Sequence, residues 1–142
     1  GAITADKNDF ELMITMNRAV ALMNRAWELN PDFSEGAIHE FYLSYYAGLP
    51  ASMGGSIEKA RHHFKKAVEL SEGKNVVPYL SMATSVAVNT QDVELFDTML
   101  KKARAVPVDR YPQYRLVNTL HLQQVSWYEK HRSDLFLVTS DK

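Results

Sequence analysis

The amino-acid sequence predicts an all-α protein in which about six helices form one domain. Apolar residues recur at steps of three and four along most of the chain, which is the period of an amphipathic helix. Proline, glycine and helix-capping residues interrupt this period where loops between helices are expected. No segment alternates between apolar and polar residues for long enough to predict a strand. We therefore expect a single domain at 1–142, with a tail at 131–142 that is polar except for 135–138.

The limits of each helix follow from residues that begin or end it. Pro31 ends the first helix, because proline disfavours helical backbone in the residue before it. Asp32, Ser56 and Asp92 predict N-caps for the second, third and fifth helices. Pro78 stands in the first turn of the fourth helix, where its missing N–H costs little. The predicted helices cover 10–29, 34–47, 57–70, 76–88, 93–105 and 113–130.

Three of these helices share one spacing of apolar residues. The residues stand at offsets 0, 4, 7 and 10, and the three starting positions are 41 and then 36 residues apart. This spacing is close to that of the second helix of a tetratricopeptide repeat, in which small residues let the paired helix approach. It predicts tetratricopeptide-like hairpins stacked as a short α-solenoid, with three unrelated amphipathic helices as the alternative. The three sets are Ala19, Met23, Ala26 and Leu29; Ala60, Phe64, Ala67 and Leu70; and Phe96, Leu100, Ala103 and Val106.

Composition and charge exclude several classes of protein. The formal net charge is −1, from 16 basic and 17 acidic side chains, and no basic run is present. A nucleic-acid surface needs a concentrated positive field, so we expect no nucleic-acid partner. The sequence contains no cysteine, which excludes disulfides and thiolate metal sites. No apolar stretch is long enough to span a membrane.

No catalytic, cofactor or metal site is predicted. His39-Glu40 begins like the helix of a zinc protease, but the second histidine would stand at position 43, which is Leu43. Ser52 is the nearest approach to a nucleophilic serine, and it lies in a loop between helices rather than in a strand–turn–helix elbow. We therefore expect a protein that is not an enzyme and that needs no cofactor.

Aromatic residues are concentrated on the second helix. Phe41 and Tyr45 share one helical face, and Tyr42 and Tyr46 share another, so both faces are aromatic. One interpretation is core packing, and the other is a surface for a partner or ligand, to which tyrosine is well suited. The predicted binding residues are His39, Glu40, Tyr42, Tyr45, Tyr46 and Met53. The loop expected to shape their rim contains Gly48, Pro50, Gly54 and Gly55.

An ordered set of motifs covers nearly the whole chain. It comprises the run 29–41, the loop 49–55, Glu58-Lys59-Ala60-Arg61, Leu70-Ser71-Glu72-Gly73-Lys74, Pro78-Tyr79, Gln91-Asp92, Arg115-Leu116, Asn118, Trp127 and Asp134-Leu135-Phe136. Together these motifs resemble the T-component family of TRAP transporter-associated proteins. In one respect the chain departs from that family, which tends to carry basic residues where Gln123, Gln124 and Ser126 stand here.

The resemblance implies a periplasmic, N-terminally lipidated scaffold of tetratricopeptide-like hairpins. It also implies assembly as a homotrimer and binding to the solute-binding (P) component of the transporter. Gly1-Ala2-Ile3 resembles the end of an interior helix in the family, so we expect the C-terminal half of a longer protein.

Two functions from different classes follow. The first is a scaffold that binds a periplasmic solute-binding protein and assists ligand uptake, with a generic tetratricopeptide adaptor as its broader form. The second is a periplasmic carrier of a small apolar ligand. An open patch of aromatic side chains favours the scaffold, and an enclosed apolar cavity favours the carrier.

Overall fold

The computed structural model describes the backbone of residues 2–137 and the side chains of residues 9–137. This part of the chain contains seven helices and no strand, which confirms the all-α class. The fourth helix is continuous but has a π-helical middle. The helices are α1 (Ala2–Leu29), α2 (Ala37–Gly48), α3 (Ile57–Leu70), α4 (Val77–Ser81, the π-helical Met82–Ala87 and Val88–Thr90), α5 (Val93–Arg104), α6 (Arg115–Lys130) and α7 (Arg132–Leu135).

Two of the three predicted N-caps are confirmed and one is wrong. The side chains of Ser56 and Asp92 accept hydrogen bonds from the backbone N–H groups at the starts of α3 and α5. Asp32 makes no capping hydrogen bond. The chain instead passes through three successive positive-φ residues, Ser34, Glu35 and Gly36, and α2 begins only after them. The predicted start of the second helix at 34 was therefore three residues too early.

The core lies between α2, α3, α4, α5 and α6. Helices α2 and α3 pack against each other, as do α4 and α5, and α4 also contacts α2 and α6. Alanines allow the close approach, since Ala60, Ala67, Ala83 and Ala103 are completely buried. The stacking of these pairs into a solenoid stays a prediction.

The first copy of the repeated spacing behaves differently from the other two. Ala60, Ala67 and Phe96 are completely buried, whereas Leu29 in α1 is 69% exposed. Helix α1 packs on α2 through its C-terminal part and exposes several apolar side chains to solvent. These include Phe10, Leu12, Met13, Met16 and Leu22.

A buried asparagine joins α6 to the turn before α4. Asn118 is completely buried, accepts a hydrogen bond from the Val76 N–H at 2.9 Å and donates one to the Lys74 carbonyl at 2.9 Å. Both backbone groups thus find partners inside the protein, where an unpaired group costs free energy. The turn is held against α6 by one side chain.

The C-terminal segment returns to the core. Phe136 packs edge-on against Phe96, with ring centroids 5.0 Å apart, while Leu137 is 85% exposed. Gly1 and residues 138–142, which include Val138 of the apolar segment and most of the predicted tail, lie outside the described residues. None of the helices within 2–137 combines the length and apolar character needed to cross a membrane.

Candidate interaction grooves

An aromatic cluster joins the first three helices. Trp27 of α1 lies edge-on to His39 of α2, at 4.9 Å, and to His63 of α3, at 5.7 Å between ring centroids. Tyr42 stacks on His63 and donates a hydrogen bond to the Asn24 side chain of α1. Side chains of three helices therefore meet here, and α1 is attached largely through Trp27 and Asn24.

The two histidines of the cluster form a buried, uncharged pair. The Nδ1 atoms of His39 and His63 lie 3.0 Å apart, so one imidazole donates its proton and the other accepts it. Burial, followed by the charges of His39, His62 and Lys59, lowers the pKa of His63 to about 4. Burial also lowers the pKa of His39, and the charges of His62 and Lys66 act in the same direction against a smaller opposing effect of Asp32. Both rings are therefore neutral at neutral pH.

An apolar groove of about 410 Å³ runs between α1 and α2. Phe41 and Tyr45 form its α2 wall, and their rings stack with centroids 6.0 Å apart. Its α1 wall consists of Met16, Ala19 and Val20. The groove is open to solvent, and its lining residues are Met16, Ala19, Val20, Phe41, Ser44 and Tyr45.

A larger and more polar groove, of about 590 Å³, lies between α2 and α6. Its central group is Glu40, whose Oε1 accepts a hydrogen bond from the Asn75 side chain at 2.8 Å. Burial raises the pKa of Glu40 to about 7, although the hydrogen bond from Asn75 opposes the shift. The hydroxyl of Tyr114, which lines the same groove, is buried and has no hydrogen-bond partner among the described residues. The groove thus combines a carboxyl group with an unsatisfied phenol.

The loop at 48–55 is tightly folded. The Gly55 N–H donates to the Pro50 carbonyl at 3.0 Å, and the Ser56 N–H donates to the Tyr46 carbonyl at 2.9 Å. A Cβ atom at Gly55 would lie 1.8 Å from the Leu49 carbonyl oxygen, so only glycine fits there. Gly54 has a φ of +98° and opens onto free space, and Met53 is 58% exposed.

The structure separates the residues that the sequence grouped as one site. His39 and Tyr42 are buried, at 3% and 6% exposure, and belong to the aromatic cluster. Tyr45 lines the apolar groove, and Glu40 lines the polar groove. Tyr46 is half-buried beside the cluster, where it stacks on His63 and lies under the Lys59 ammonium.

Several residues of these grooves and of the aromatic cluster were not expected from the sequence. Met16 and Trp27 belong to the apolar period of the first helix, and this period alone cannot tell a buried stripe from an exposed one. His63 stands 24 residues from its partner His39 on another helix, and no local pattern links them. Nothing in the sequence predicted that Tyr114, near the start of the last long helix, would line a groove.

The fold defines a class of protein: an all-α protein with open grooves between its helices. A family model described as TRAP transporter T-component matches residues 1–136, and the chain belongs to that family. The resemblance drawn from the motifs is thereby confirmed. An uncharacterized protein of Treponema pallidum (strain Nichols) is 28% identical over 123 residues, which are 87% of this chain. The chain spans 38% of the length of that relative.

Proposed function

We propose that this protein is a scaffold that binds the solute-binding (P) component of a TRAP-type transporter and thereby assists ligand uptake. The observation that carries the proposal is the open apolar groove between α1 and α2. Helix α1 also exposes Phe10, Leu12 and Met13, each by more than half. Exposed apolar surface is typical of sites for protein partners when it forms a patch.

Tyr45 and Met16 are the expected anchors of the docked partner. Both line the groove, from opposite helices. Tyrosine offers a large apolar body with a hydrogen-bonding tip, and methionine adapts to an irregular partner surface. His39 and Tyr42 support the groove indirectly, because their aromatic contacts with Trp27 hold α1 beside α2.

The proposal includes a periplasmic location, lipid anchoring and assembly as a homotrimer, all of which rest on the family resemblance. The loop at 48–55, with Gly48, Pro50, Gly54 and Gly55, is proposed to shape the rim of the binding surface, and Met53 to contact the partner from it.

The test is a binding measurement between this chain and the purified solute-binding protein encoded with its transporter. Tyr45→Ser and Met16→Ser should each weaken the Kd by roughly tenfold or more, the usual effect of removing an interface anchor. Leu116→Ser is the matched control, because Leu116 is 71% exposed on α6, away from the groove. Circular dichroism should show that all three variants are folded.

An unchanged Kd in both groove variants would refute the docking surface. If the wild-type chain binds no solute-binding protein and instead co-purifies with an apolar compound, the carrier function replaces the scaffold. The same groove would then hold that ligand, and Tyr45→Ser should reduce the amount that co-purifies.

A further inference from the structure

We infer that the polar groove between α2 and α6 is a second binding site, which recognises a primary ammonium group carried on a short apolar stem. This site is separate from the apolar groove proposed for the transporter component, since the two share no lining residue.

A carboxyl group is held in a fixed orientation in the groove. Asn75, which is 8% exposed, donates to Oε1 of Glu40 and accepts a hydrogen bond from the Val77 N–H at 3.0 Å. The amide is thereby fixed at both ends and orients the carboxyl group. The hydrogen bonds among the described residues leave Oε2 free for a ligand.

Among the described residues, no cationic side chain forms an ion pair with Glu40. The groove contains two carboxyl groups, Glu35 and Glu40, and none of the described residues lining it is lysine or arginine. The nearby Lys74 pairs with Glu72 at 3.3 Å. Arg115, next to Tyr114 in the chain, pairs with Asp109 at 3.6 Å. A buried carboxylate without a counter-charge favours a cationic ligand.

The groove also offers further hydrogen-bonding and apolar groups. The buried Tyr114 hydroxyl has no hydrogen-bond partner among the described residues, and a ligand donor that reached it would satisfy it. Nδ1 of His121 donates to the Val117 carbonyl at 2.8 Å, so this hydrogen bond leaves the Nε2 atom unused. Ala37, Val77 and Val117 add apolar surface for an alkyl stem. The N–H groups of a bound ammonium thus have acceptors in the groove, and its alkyl stem can pack against the apolar side chains.

The ammonium could belong to a small free amine or to a lysine side chain of a bound protein. Isothermal titration of the 142-residue chain with pentylamine and with the peptide acetyl-Gly-Lys-Gly-amide distinguishes these sources. Binding of pentylamine supports a small-molecule site, and binding of the peptide alone assigns the site to a protein lysine. Pentan-1-ol, which has the same stem without the charge, is the ligand control.

Glu40→Gln should weaken binding by roughly tenfold or more, because it removes a charge-assisted hydrogen bond. Tyr114→Phe should weaken it by roughly threefold or more, through loss of a neutral one. Glu58→Gln, a change at an exposed carboxylate of α3, should leave the affinity unchanged.

The titratable groups lining the groove are Glu35, Glu40, Tyr114 and His121. With a Glu40 pKa of about 7, wild-type binding should be about tenfold tighter at pH 8 than at pH 6, and Glu40→Gln should lose most of this dependence.

The inference is overturned if pentan-1-ol binds as tightly as pentylamine, if Glu40→Gln leaves the affinity unchanged, or if neither amine binds. Tyr45→Ser serves as a cross-check, because Tyr45 lines the docking groove and not the polar groove. A failure of the docking proposal would therefore leave pentylamine binding intact, and the two proposals fail independently.

Discussion

Acidification should change the stability of this protein in two opposite ways, with a gain from Glu40 and a loss from His63. Replacing Glu40 should remove the gain and leave the loss. The folded-state pKa of Glu40 is about 7, against an ordinary value of 4.5. A raised pKa means that the folded state binds the proton more tightly, so this group adds stability at low pH and loses it as the pH rises through 7. Between pH 7.5 and pH 4.5 the linkage relation gives a gain of about 3 kcal/mol.

His63 acts in the other direction. Its pKa falls from 6.5 to about 4 on folding, so the unfolded chain binds the proton more tightly. The contribution of the neutral His63 ring to the free energy of unfolding is fully present above pH 6.5 and is lost as the pH falls towards 4. Over the same interval, from pH 7.5 to pH 4.5, the loss is about 2.5 kcal/mol. The two contributions nearly cancel in the wild-type protein, and His39 adds a further loss of the same sign as that of His63.

The assay is urea unfolding at pH 7.5 and pH 4.5, followed by circular dichroism. The free energy of unfolding of Glu40→Gln should fall by about 3 kcal/mol more than that of the wild type between the two pH values. His63→Asn, which keeps a hydrogen-bonding group near the position of Nδ1, should shift the pH dependence in the opposite sense by about 2.5 kcal/mol. Surface carboxylates are common to all three proteins, so their effects cancel in the comparison. If Glu40→Gln and the wild type differ equally at both pH values, the burial argument for Glu40 is refuted.

Two further predictions concern packing and use thermal or urea unfolding as the measurement. Gly55→Ala should destabilise the protein by about 2 kcal/mol or more, because the new Cβ would overlap the Leu49 carbonyl. The control Gly48→Ala should change stability by no more than about 0.5 kcal/mol, because the space around its Cβ is open. Equal effects of the two glycine changes would contradict the loop geometry. Asn118→Ala should lower the free energy of unfolding by about 2–3 kcal/mol, because it leaves the Val76 N–H and the Lys74 carbonyl without their partner. The control is Thr119→Ala, at the exposed residue next to Asn118, which should lower it by about 0.5 kcal/mol or less. A cost for Asn118→Ala as small as that of the control would show that water replaces the asparagine.

Features set by local chemistry could be predicted from the sequence. Ser56 and Asp92 cap their helices because a side-chain oxygen reaches a backbone N–H three residues away. Asp32 offered the same signal and failed, since the backbone from 34 to 36 turns through positive φ before α2 begins. A capping residue thus predicts a helix start only where the following residues take helical angles.

Features that depend on distant residues could not be predicted. Glu40 and Asn75 are 35 residues apart, and their hydrogen bond depends on how α2 meets the turn before α4. The face of α2 that is buried also depends on its neighbours. Tyr42 is enclosed because Trp27 and His63 approach it from α1 and α3, while Tyr45 is left on the groove. Sequence periodicity identified the aromatic helix but could not divide it between core and surface.

The π-helical segment of α4 has a consequence for how the length of this protein can vary. A turn closed by i→i+5 hydrogen bonds holds more residues than an α-helical turn, so Met82–Ala87 accommodates a one-residue insertion without a loop. The Thr84 and Thr90 hydroxyls donate to the Leu80 and Val86 carbonyls, at 3.0 and 2.8 Å, and help to satisfy the backbone around the wide turn. Deleting one residue there would restore a regular helix but rotate everything that follows by about 100°. Asn89 would then lose the hydrogen bond that it donates to the Ala47 carbonyl. Relatives that lack the extra residue should therefore also differ at the position of Asn89.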